Sequence, residues 1–271
     1  MFLRITRILF LLFLSLYLVS SIRAGITYAG KDSTITLLTY NVNFGRTDPG
    51  VVKILDTLDA DIVCLQETTP DWENLLRKNM SQKYSHILFK HCCRAGGLAV
   101  LSKFAIKKDT YISNDIGWFP GWWLLFDTPL GEIQVLNLHL KPGINEKGKA
   151  GFLAREFFKA QKLHIKELTL FMTYLNPDIP ALILGDLNEN DKSRAMKWLR
   201  KKMGYTDALR LFDKNSRTWE WGILRGRYDH ILFDNTLKCT HTKVYHQGVS
   251  DHFPVVGSFR KNTPPEQRKI K

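Results

Sequence analysis

Ala181-Leu182-Ile183-Leu184-Gly185-Asp186-Leu187-Asn188-Glu189 is the stretch that decides the fold. Four aliphatic residues in a row read as a buried strand. Gly185 follows, a residue that lets the backbone turn or approach a neighbour closely. Asp186 and Asn188 are two apart, so an extended chain would point both to the same side. A second stretch, Ser250-Asp251-His252-Phe253-Pro254-Val255, sets a carboxylate and an imidazole before another apolar run. Asp251 and His252 are adjacent and face opposite sides unless the chain bends there. A base, an amide donor, a metal-type carboxylate and an imidazole are the groups needed to hydrolyse a phosphate ester.

Four more segments repeat the pattern of an apolar strand carrying polar chemistry at one end. Leu37-Leu38-Thr39-Tyr40-Asn41 ends in Asn, and Asp61-Ile62-Val63-Cys64-Leu65-Gln66-Glu67 ends in Glu. Ile133-Gln134-Val135-Leu136-Asn137-Leu138-His139-Leu140 alternates, which puts Asn137 and His139 on one face. Arg227-Tyr228-Asp229-His230-Ile231-Leu232-Phe233 places a carboxylate before an apolar run. Further strand-like runs lie at 85–89, 98–102, 122–126 and 253–259. Asp48-Pro49 opens a helix over 51–58 and Thr69-Pro70 one over 71–80, with Pro at the start of each. Apolar periodicity predicts a long amphipathic helix over 152–175 and a shorter one over 193–203. Strands joined by such helices make an α/β protein with a mixed, largely antiparallel core.

In this order and spacing, the motifs resemble the endonuclease/exonuclease/phosphatase superfamily, the deoxyribonuclease-I-like phosphoesterases. The likeness runs from about Thr34 to Phe259. It implies a four-layer α/β/β/α sandwich, with two mixed, mostly antiparallel β-sheets flanked by helices and an active site at one end. It also implies a divalent cation, Mg²⁺ or alternatively Mn²⁺. Glu67 would be its principal ligand, Asn41 would assist at the metal or the phosphate, and Asp251 would join the coordination sphere. By the same resemblance Asp186 orients or deprotonates the attacking water, and Asn188 donates to Asp186 or to a non-bridging oxygen. Asp229 and His252 form a pair at the scissile phosphate, its function as base or as electrostatic stabiliser left open. His139 lies opposite, on a non-bridging oxygen or the leaving group. Asn137, Arg227 and Trp118 are the expected substrate contacts. Water attacks in line, without a covalent intermediate.

The first 24 residues combine a basic start, an apolar stretch from Ile8 to Val19 and small residues after it, the form of a secretory signal peptide. The alternative is an uncleaved membrane anchor. Residues 30–260 fit one catalytic domain, and 261–271 read as a flexible basic tail. Formal net charge is +13. Losing the leader with Arg4, Arg7 and Arg23, and no acidic residue, lowers it to +10. Such an excess favours a phosphate-bearing partner, nucleic acid or anionic lipid, without choosing between them. No obligate protein partner is evident, and a monomer is expected. Four cysteines without paired CxxC or His spacing argue against a cysteine zinc site. In an exported protein, Cys239 has the option of a bridge to Cys92 or Cys93.

Substrate choice rests on loops. Gly117-Trp118-Phe119-Pro120-Gly121-Trp122-Trp123 offers aromatics either to stack on bases, to dip into a membrane interface, or to start a buried strand. Arg94, Lys141, Arg155, Arg225 and Arg227 border a phosphate groove or form a solvated basic face. Four readings follow: a secreted or periplasmic nuclease or phosphodiesterase, a phosphatase or phosphodiesterase acting on phospholipid head groups, a non-catalytic binding module on the same fold, and a membrane-tethered scaffold.

Overall fold

The computed structural model describes residues 33–142 and 153–262, and the side chains of helix residues 153–159 are not among those described. The leader and residues 263–271 of the tail lie outside the described residues. Strands β1 (Ile35–Asn41) and β2 (Ile62–Gln66) run parallel at the centre of a six-stranded sheet. A parallel pair needs a crossover, here through helix α1 (Gly50–Leu58). Strands β3 (His86–Lys90) and β4 (Leu98–Ser102) extend this sheet on one side, β13 (Leu237–Val244) and β14 (Val255–Lys261) on the other, all antiparallel.

The second six-stranded sheet repeats the plan. Its central parallel pair is β7 (Gly131–His139) and β8 (Ala181–Asp186), with helix α3 (Leu153–Met172) between them in sequence. Strands β5 (Ala105–Ile112) and β6 (Gly121–Thr128) flank it on one side, β9 (Thr206–Asp207) and β12 (Asp229–Phe233) on the other. A separate hairpin joins β10 (Trp219–Trp221) to β11 (Leu224–Gly226).

Helix starts follow local chemistry. Thr69 accepts a hydrogen bond from the Trp72 amide ahead of α2 (Pro70–Met80), which has Pro at its first position. Ser193 accepts from the Met196 amide and so caps α4 (Arg194–Lys201). A one-turn helix, α5 (Leu209–Phe212), follows β9.

Alternation along each strand builds three apolar layers. Ile35, Leu37, Ile62 and Cys64 of the first sheet meet Ile133, Val135, Leu182, Leu184 and Ile231 of the second. Leu38, Tyr40, Val63 and Leu65 turn outward onto α1 and α2 residues such as Leu55, Trp72 and Leu76. Leu136, Leu138 and Ile183 turn outward onto Leu168 and Phe171 of α3 and Met196 and Leu199 of α4. The result is the expected α/β/β/α sandwich.

At one end the inward-facing positions change from aliphatic to polar. After Leu37 come Thr39 and Asn41, after Cys64 comes Gln66, after Val135 come Asn137 and His139, and after Leu184 comes Asp186, all buried. β12 runs antiparallel to β8 and opens with Asp229 opposite Asp186. β14 opens opposite the end of β1, with Val255 beside Thr39, so the His252 segment enters at the same end.

Some expectations give way here. Trp122 and Trp123 are buried in β6, leaving Trp118 as the half-exposed tryptophan of the 117–123 loop. Cys239 is buried in β13, at the opposite edge of the first sheet from β3, after which Cys92 and Cys93 follow, so the sheet itself keeps the bridge from forming. Lys261 still belongs to β14, paired with Leu237, so the tail begins later than 261.

Candidate active site

Asp186 sits at the centre of the polar end. Gly185 before it has a φ of +135°, and a Cβ there would meet the Leu138 carbonyl oxygen at 1.8 Å. Glycine alone therefore permits β8 to lie this close to β7 and bring Asp186 beside His139. The Asp186 carboxylate lies 3.5 Å from Nε2 of His139 and 3.5 Å from Nε2 of His252. Asn41 donates through Nδ2 to Asp186 Oδ2 at 3.1 Å and to Glu67 Oε1 at 3.0 Å, tying the two sheets together.

Both histidines are oriented by their other nitrogen. His252 Nδ1 lies 2.8 Å from Asp229 Oδ2, and His139 Nδ1 lies 3.0 Å from the Ala95 carbonyl. A carbonyl only accepts, so His139 carries a proton on Nδ1. Phe119 stacks on the His139 ring with centroids 4.5 Å apart. Burial works against a charge on His252, but the carboxylates of Asp229 and Asp186 outweigh it and push the imidazole up to about 10. Asp186 is raised above its ordinary value, first by burial and also by repulsion from Asp229, which makes it a stronger base.

The chain turns immediately after β8. Asn188 has a φ of 50°, its amide donates to Asp186 Oδ1, and its Nδ2 donates to the Leu140 carbonyl. It therefore braces Asp186 through its backbone while its side chain ties the loop to the end of β7. The bend at 250–251 brings Ser250 Oγ to the Asn41 carbonyl and Asp251 to two donors, Asn43 Nδ2 at 3.3 Å and Trp219 Nε1 at 2.9 Å.

Two predicted substrate contacts are not brought to the site. Asn137 is fully buried one strand repeat below His139, where its oxygen accepts from Gln66 Nε2 and its Nδ2 donates to the carbonyls of Leu65 and Ala99. Arg227 is buried against Asp191, at 2.5 Å, and Asp207, at 3.8 Å, with a bond to the Lys214 carbonyl. Its charge is consumed inside the protein. Trp118 is half-exposed, with Lys141 Nζ 4.1 Å above its ring.

Several participants escaped sequence reading. Asn43 and Trp219 hold Asp251, and the Ala95 carbonyl and Phe119 hold His139. Trp219 opens β10 and the others lie in connecting segments, so each reaches the site only through tertiary contact. His164 and Glu189 form a buried pair at 2.6 Å behind the Asn188 loop, with His164 Nε2 at the Lys141 carbonyl. Glu189 in the signature stretch was the available clue.

The donor set suits a hard divalent cation. Glu67, Asp186, Asp229 and Asp251 gather around two imidazoles, and among the described residues no Lys or Arg forms an ion pair with any of them. That leaves excess negative charge. Glu67, in a left-handed conformation with φ 62°, receives neutral donors, Asn41 Nδ2 and the Phe44 amide, so both oxygens retain lone pairs. Ligand atoms of Asp186, Asp229 and His252 also cluster within 4.8 Å. In that trio, however, His252 is held between two carboxylates in its cationic form, which has no lone pair for a metal. Glu67, whose donors are neutral, keeps carboxylate oxygens that could hold a metal.

A profile of the Endonuclease/Exonuclease/phosphatase family matches residues 38–252, and the chain belongs to that family. Members of the family are metal-dependent phosphoesterases. Solved structures of the same fold include an endonuclease/exonuclease/phosphatase from Beutenbergia cavernae, with a TM-score of 0.68, 18% identity, and 84% of this chain and 72% of that one covered. Truncated TDP2 of Caenorhabditis elegans gives 0.64 at 18% identity, covering 84% and 98%. An AP endonuclease from Archaeoglobus fulgidus gives 0.64 at 18%, covering 82% and 98%. These likenesses establish the fold. No curated protein matches the chain in sequence.

Proposed function

We propose that this chain is a divalent-metal-dependent phosphodiesterase that hydrolyses its ester by direct attack of water. The reading is carried by one observation: Asp186, buried and of raised basicity, lies 3.5 Å from two separately oriented histidines. Asp186 takes the proton of the attacking water. Asn188 and Asn41 fix its two oxygens, so the base does not rotate as it is protonated. His252, kept cationic by Asp229, donates from Nε2 toward a non-bridging oxygen and stabilises the charge that develops there. His139, on the other side of Asp186, serves a second oxygen or the leaving group.

Glu67, Asn41 and Asp251 would hold Mg²⁺ or Mn²⁺, which supplies neutralisation of phosphate charge and of the leaving oxygen. Among the described residues no serine, threonine or cysteine side chain contacts Asp186, consistent with one displacement by water. Export of the mature protein, to the periplasm or the medium, is part of the proposal and rests on the leader sequence. Net charge supports an anionic substrate, nucleic acid or a phospholipid head group, without ranking the two.

The deciding experiment is turnover by purified protein with Mg²⁺ on plasmid DNA, RNA, phosphoinositide, sphingomyelin and an aryl phosphodiester. Hydrolysis of at least one, lost in Asp186→Asn, supports the reading. No hydrolysis of any diester at any divalent metal overturns it. Sequencing the mature N-terminus tests export, since an intact leader refutes cleavage.

A further inference from the structure

The β10–β11 hairpin carries apolar side chains where hairpins carry polar ones. Trp219 pairs with Gly226, Glu220 with Arg225 and Trp221 with Leu224, leaving Gly222-Ile223 as a two-residue turn. Gly222 has a φ of +59° and Ile223 is not in the positive region, the pattern of a type II′ turn, which matches strand twist and makes a stiff tip. Such turns favour Asn, Asp, Ser or Gly after the first position. Here the apex is Ile223, 95% exposed, backed by Trp221 at 68% and Leu224 at 53%.

The hairpin is fastened to the site. Trp219 Nε1 donates to Asp251, the Glu220 amide donates to the Asp251 carbonyl, and Trp219 bridges to His252. Side chains two apart share a face, so Trp221 and its partner Leu224 continue the face that Trp219 turns toward the site. Glu220 and Arg225 occupy the other face, and Arg217 pairs with Glu220. The stem thus carries two guanidiniums against one carboxylate, while the tip is aliphatic.

We propose that this hairpin is an interfacial anchor that docks the active-site end onto an anionic phospholipid surface. Aliphatic apex residues find neither stacking nor hydrogen-bond partners on a nucleic acid backbone, whereas Ile, Leu and Trp flanked by Arg fit the boundary between acyl chains and head groups. The net charge, +13 for the full chain and +10 without the three arginines of the leader, adds attraction to an anionic leaflet. This deepens the phosphodiesterase reading by favouring substrates presented at a bilayer, but adsorption itself requires no turnover.

The test is co-sedimentation of the purified mature-length protein with vesicles of equimolar phosphatidylcholine and phosphatidylglycerol, comparing wild type with Ile223→Ser and Trp221→Ser. Each substitution should weaken partitioning roughly tenfold, and wild-type tryptophan emission should shift to the blue on vesicles through Trp221. Turnover of a soluble aryl diester should stay unchanged in both variants, which separates failure of the anchor from failure of the catalytic reading. Vesicle binding equal in all three proteins overturns the proposal. So does an unchanged vesicle affinity accompanied by weakened binding to duplex DNA, which would make the hairpin a nucleic acid contact.

Discussion

His252 faces Asp186 across the polar end of the second sheet, Nε2 to carboxylate oxygen at 3.5 Å. That gap is longer than a hydrogen bond, so each group is held by its own supports instead of by the other. Nε2 of His252 and the Asp186 carboxylate can therefore each take an oxygen beside the pair without surrendering a partner. The gap separates a cation maker, Asp229, from a proton acceptor, Asp186, and the variants of each should behave differently.

Asp229→Asn removes the carboxylate that keeps His252 charged. The imidazole stands at about 10 with that carboxylate present. Activity that depends on the cation persists below this value and falls as pH rises through it. In the variant the His252 pKa drops, so the basic limb of the kcat/KM profile should move to lower pH, with a loss of about 100-fold at neutral pH. A pH profile with an unshifted basic limb would separate His252 from the reaction.

Asp186→Asn keeps the size of the side chain and one of its two accepting oxygens but cannot take a proton. Turnover should fall about 100- to 10,000-fold with little change in KM. Circular dichroism should show the native fold. Near-normal turnover would mean that another group accepts the proton.

Chelation should abolish activity, and Mg²⁺ or Mn²⁺ should restore it. Glu67→Gln should weaken Mg²⁺ binding by about tenfold or more, read by calorimetry with no substrate present. Equal heats and affinities in the two proteins would place the cation elsewhere.

Asp207 gives an acid-stability prediction away from the chemistry. It is fully buried, which alone would raise its pKa, but His230 at 3.0 Å and Arg227 outweigh burial and hold it below the ordinary 3.8. The unfolded chain therefore takes up the proton first. The stabilisation is complete above the ordinary value and is lost as pH falls through the lower, folded one. Asp207→Asn should cost about 3–5 kcal/mol at neutral pH and flatten the decline of the urea midpoint in acid. A variant whose midpoint declines as steeply as the wild type's would contradict this.

Gly185→Ala should cost about 3 kcal/mol or more, because the new Cβ meets the Leu138 carbonyl and φ is positive. The urea midpoint measures it. A fully stable variant would show that β8 can withdraw from β7 without penalty.

Much of this site was legible because its groups end apolar strands. Asn41, Glu67, His139, Asp186 and Asp229 each stand at the edge of a recognisable buried run, so strand ends and chemistry were found together. Asn137 misled for a geometric reason. It shares a face with His139 but lies two residues deeper, about 7 Å along the strand, beneath the site. Arg227 misled because its partners, Asp191 and Asp207, are distant in sequence and a buried ion pair leaves no local trace. β5 was missed since it is an edge strand with exposed Lys107, Lys108 and Tyr111, which blurs the alternation. β10 and β11 are three residues each, too short for any period to register.

The two sheets share the catalytic groups between them: β1 and β2 lead to Asn41 and Glu67, β7 and β8 to His139 and Asp186. Neither sheet carries the full set by itself. A chain with a single sheet formed would lack part of the proposed catalytic set, which is complete only when the two sheets pack on each other.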